Sequence, residues 1–103
     1  KKFAITLALL FLAGSAHAEV MRDTFVGCKN TKDMSRIVRL LGDGDREAFG
    51  EFATQKVVNG ECMIISSGAE VRLEDASLLS GQACVRPRGE PDCYYIPLEL
   101  IMD

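Results

Sequence analysis

Four cysteines, Cys28, Cys62, Cys84 and Cys93, sit in a chain of 103 residues behind a leader-like segment, and they constrain this sequence more than any other feature. Lys1 and Lys2 are followed by an apolar run from Phe3 to Ala13 and then by Gly14-Ser15-Ala16-His17-Ala18. A positive start, an apolar stretch and an Ala-x-Ala ending are the pattern of a secretory signal peptide. Residues 1–18 are therefore expected to be removed, leaving 19–103 as a single mature domain that is periplasmic or secreted. An exported chain meets an oxidising compartment, and a domain this small buries too little surface to dispense easily with cross-links. The cysteines are thus expected to form two disulfides. No Cys-x-x-Cys pair is present, so neither a four-cysteine zinc knuckle nor a redox dithiol is expected.

Loss of the leader also removes His17, the only histidine, and the chain has no tryptophan. Serine–histidine or cysteine–histidine nucleophiles and histidine-bound metals then have no imidazole to use. Removing Lys1 and Lys2 leaves ten basic residues against 15 acidic ones, which argues against a nucleic-acid partner or a polybasic membrane anchor. No second apolar run approaches membrane length. Asp43-x-Asp45-x-Glu47 resembles the start of a calcium loop, but Ala48 and Thr54 stand where glycine and glutamate are required. Glu70, Glu74 and Asp75 are interleaved with Arg72 on an alternating segment, the pattern of a solvated strand face. No cofactor, metal or enzymatic activity is expected; an enzyme working through carboxylates alone is the weakest of the competing readings.

The hydrophobic period divides the domain in two. Residues 19–30 read as an irregular arm. Asn30 or Thr31 can cap a helix carrying Met34, Ile37, Val38 and Leu41 on one stripe, and Asp43 or Asp45 can cap a second with Phe49, Phe52, Ala53 and Val57. From Asn59-Gly60 onward, short runs at 62–65, 69–75, 82–86 and 93–96 read as strands separated by turn residues, with 97–101 as a helical turn or last strand. The expected fold class is α+β: an N-terminal helical hairpin (19–58) packed on a small β-barrel of four to five short antiparallel strands (59–103).

Val57-x-x-Gly60-x-Cys62, Gly68-x-x-Val71, Val85-Arg86-x-x-Gly89 and Tyr94-Tyr95-x-Pro97 resemble the SH3-like domains of small exported bacterial proteins over residues 57–101. That resemblance implies a five-stranded barrel with a short turn before its last strand. Proline-rich peptide recognition does not come with it, because the groove tryptophan and the acidic-aromatic loop are missing.

Of three possible connectivities, Cys28–Cys62 with Cys84–Cys93 is expected, since the second pair flanks the turn 87–92. Placing Cys84 opposite Cys93 puts Ala83, Val85, Tyr94 and Ile96 on the core face, and Gln82, Cys84, Arg86 and Tyr95 on the other. Tyr95, Arg86 and the tip residue Arg88 then form the expected binding surface, with Tyr95 as anchor. The expected function is a non-catalytic interaction module of the bacterial envelope whose partner is another envelope protein or a cell-wall component. The alternative is an inhibitor of a cell-wall hydrolase or protease presenting the loop Pro87–Pro91.

Overall fold

A computed structural model describes residues 18–77 and 79–101; the leader read at 1–18 lies outside it except for Ala18. Six strands and two helices follow one another as β1 (Ala18–Val20), β2 (Phe25–Cys28), α1 (Thr31–Gly42), α2 (Arg46–Val58), β3 (Cys62–Ile65), β4 (Glu70–Ser77), β5 (Gln82–Pro87) and β6 (Tyr94–Pro97). A short 3₁₀ turn, Leu98–Leu100, ends the described chain. All strand pairs are antiparallel and belong to one sheet of order β1-β4-β5-β6-β2-β3.

This architecture corrects the expected fold class. The helical hairpin is not N-terminal: it is inserted between two paired strands, β2 and β3. The partner of the helices is a six-stranded sheet, not a four- or five-stranded SH3-like barrel. The segment 19–30 is not an irregular arm either, because it supplies β1 and β2. Phe25-Val26-Gly27-Cys28 is too short to show a period, and its glycine reads as a breaker. In the fold Gly27 is there for space: a Cβ would stand 3.0 Å from Ile65 Cδ1 and from Tyr94 Cβ, and 3.2 Å from Ile96 Cγ2.

Local signals make the helices. Asn30 Oδ1 accepts a hydrogen bond from the Asp33 amide at 2.8 Å, and Asp45 Oδ1 accepts from that of Ala48 at 3.1 Å, so each helix opens with a side-chain cap. Met34 and Ile37 are fully buried, but Val38 and Leu41 of the same expected stripe are 45% and 39% exposed. The helix rests on the sheet along a narrower line than the stripe suggested.

The turn after β3 dictates the shape of the sheet. Strands β3 and β4 lie four places apart, about 19 Å in a flat sheet. The five residue steps from Ile65 to Glu70 reach at most about 17 Å even fully extended. They are also bent, by a turn in which the Ala69 amide donates to Ser66 O at 3.1 Å and Gly68 takes φ +84°. The sheet therefore curls until its ends approach. The β1–β2 connection laces them: Gly68 donates to Met21 O at 2.8 Å, Met21 to Ala69 O at 3.0 Å, and Ser67 to Thr24 Oγ1 at 2.9 Å.

Curling separates two cores. The concave side buries Met21, Ile65, Val71, Ala83, Val85, Tyr94 and Ile96. The convex side buries Val26, Cys28 and Cys62 under Met34 and Ile37 of α1, with Phe49, Phe52, Val57 and Tyr95 half-buried around them. Both disulfides have the expected connectivity. Cys28–Cys62 joins directly opposed positions of β2 and β3 across 34 residues, and Cys84–Cys93 spans nine.

Candidate functional site

Strand parity holds between β5 and β6, but the register does not. Cys84 stands opposite Tyr95, not Cys93, and Val85 opposite Tyr94. Cys93 remains in the loop after Pro91, whose missing amide donor suits it poorly to a ladder. Because the shift is two residues, Ala83, Val85, Tyr94 and Ile96 still face the concave core.

The outward set fares differently. Gln82 and Cys84 are buried, and Tyr95 packs half-buried on the convex core, opposite both Cys84 and Cys28. Arg86 donates through Nε to Glu74 Oε2 at 2.8 Å, and Arg88 through Nη1 to Glu70 Oε1 at 3.3 Å. With Arg72 they line a shallow cavity of about 170 Å³. Arg86 and Arg88 thus come together, but balanced by carboxylates of β4, while Tyr95 is engaged in packing.

A larger feature lies at the opposite edge of the sheet. Between α2 and the β2–β3 ladder a cavity of about 420 Å³ is lined by Phe25, Phe49, Ala53, Val57, Val58 and Ile64, among others. Strand β3 is an edge strand, and its sequence, Cys62-Met63-Ile64-Ile65, contains neither charge nor proline. Ile64 is 61% exposed and Val58 81%. Scattered exposed apolar side chains need no explanation, but two of them bordering an apolar cavity beside an open edge do. The sequence signal was the unbroken apolar run itself. A strand with one wet face should alternate, and 62–65 does not.

Among the described residues no group of three histidine, cysteine, aspartate or glutamate side chains could hold a metal ion, and no helix is long and apolar enough to cross a membrane. The two disulfides fit an extracytoplasmic module. No family model, curated protein or solved structure matches the chain.

Proposed function

We propose that this chain is a non-catalytic, disulfide-stabilised interaction module, exported to the bacterial envelope or beyond it, that holds an extended segment of a partner protein along β3. One observation carries the reading: an edge strand without protective charge or proline runs beside an apolar cavity of about 420 Å³. An added strand would complete the backbone hydrogen bonds of β3, while its alternate side chains entered the cavity between Val58 and Ile64. The leader pattern and the two cross-links support export.

The test is site-specific photo-crosslinking in the native envelope, with the reactive side chain at Ile64 and, separately, at Arg72. The expected result is a defined heteromeric adduct from position 64 and none from 72. An adduct from 72 alone would move the site to the β4–β5 face. An adduct of twice the chain's own mass would make the occupant a second copy. A captured hydrolase that loses activity on binding would favour the inhibitor class.

A further inference from the structure

In an acidic chain, one cleft gathers four cations. Lys32, Arg36 and Arg39 recur at i, i+4 and i+7 on α1, and Lys56 faces them from α2 across a cavity of about 480 Å³ that also takes in Ser35 and Phe52. The one carboxylate there, Asp33, is already engaged by Lys56 at 3.3 Å and by the Asn30 amide at 3.2 Å. Lys32, Arg36 and Arg39 have no carboxylate partner among the described residues. Like charges at these spacings repel one another along a helix, so helix stability alone does not account for the row.

The cleft is also prepared. The Arg36 guanidinium lies over the Phe52 ring, 4.8 Å from its centre, with Lys56 Nζ 5.5 Å from the same centre. Stacking fixes the plane of the guanidinium while leaving N–H groups at its edge free to fork onto an oxyanion. A second cavity, about 350 Å³, flanks the other side of α1 and shares Ser35 and Arg39 with the first. In it lies Gln82, only 3% exposed: its Nε2 donates to Ser35 Oγ at 2.9 Å, and its Oε1 has no partner among the described residues. A buried acceptor without a donor is costly to keep. Gln82 lines this second cavity together with Ser35, Arg39 and one carboxylate, Glu99.

We infer that the furrow around α1 binds an acidic saccharide chain, its carboxylate or phosphate groups held by Lys32, Arg36 and Arg39 and a sugar hydroxyl donated toward Gln82. The furrow suits a nucleic acid poorly: its one aromatic ring, Phe52, already has cations against it, so no bare face remains for a base to stack on. This site is separate from the β3 edge and does not depend on the reading given for it.

The test titrates the oxidised protein by calorimetry with polygalacturonate, a phosphomannan, neutral dextran and an oligothymidylate. Saturable binding of one or both acidic glycans is expected, with none to dextran; which of the two binds identifies the oxyanion. Arg36→Gln with Arg39→Gln, both exposed, should weaken that binding about tenfold or more at an unchanged melting temperature. Arg86→Gln with Arg88→Gln, which removes equal charge elsewhere, should not weaken it. Absence of glycan binding, equal weakening by the two double variants, or equally tight binding of the oligothymidylate would each overturn the assignment.

Discussion

The two disulfides enclose very different regions. Cys28–Cys62 closes a loop that contains the whole helical hairpin, and both cysteines are buried within the convex core. Cys84–Cys93 closes a nine-residue separation around a turn whose cations are already balanced, Arg88 by Glu70 and, beside it on β5, Arg86 by Glu74. The first region leaves charges unpaired and an apolar cavity open, whereas the second satisfies itself. A small fold can therefore staple one region to hold it shut and another to hold a working surface in place.

Unfolding experiments can break this contrast. Cys28→Ser with Cys62→Ser should have the largest effect, about 3.8 kcal/mol from loop closure alone, followed by denaturant titration with helix circular dichroism as the readout. Cys84→Ser with Cys93→Ser should cost less, about 2.7 kcal/mol on the same reasoning, and should leave the helical signal in place. A reversed order would mean that the small loop, not the helical insertion, anchors the fold. Gly27→Ala sharpens the contrast at the strand that both cores share. Its methyl must displace Ile65, Tyr94 or Ile96, for about 1–3 kcal/mol by thermal melting. Arg88→Gln should be smallest, within about 1 kcal/mol, because Arg88 and Glu70 are solvent-exposed partners.

What could be read beforehand was what is local. Asn30 and Asp45 announce the helix starts, Met34 and Ile37 the buried line, and the alternation through Ala83, Val85, Tyr94 and Ile96 survives even a two-residue slip in register. Strands β1 and β2 are hidden because three or four residues carry no period, and because their partners, β4 for β1 and β3 and β6 for β2, lie far along the chain. The exposure of Ile64 follows from β3 lying at an edge, which is a property of strand order. The cationic cleft is not legible in the sequence: Lys32, Arg36 and Arg39 alone read as a solvated helix face, and Phe52 and Lys56 join them only when α2 folds back against α1. Parity places Tyr95 on the outward face but says nothing of what covers that face, which is the convex core.

The seam between β6 and β2 has a consequence for how the chain assembles as it is delivered, amino end first. Those two strands meet at one described pair, Cys28 with Tyr95. Every residue from β2 through α1 and α2 to β3, Cys28 and Cys62 included, precedes β4 in the chain. The β4–β5–β6 meander is likewise a neighbour-to-neighbour unit. On that order the slow, high-contact-order event should be the last one, the landing of Tyr95 against the Cys28–Cys62 cystine. Pulse-oxidation during synthesis should accordingly find Cys28–Cys62 formed in nascent chains that still lack Tyr95; its appearance only after Tyr95 has emerged would mean that the two units fold as one.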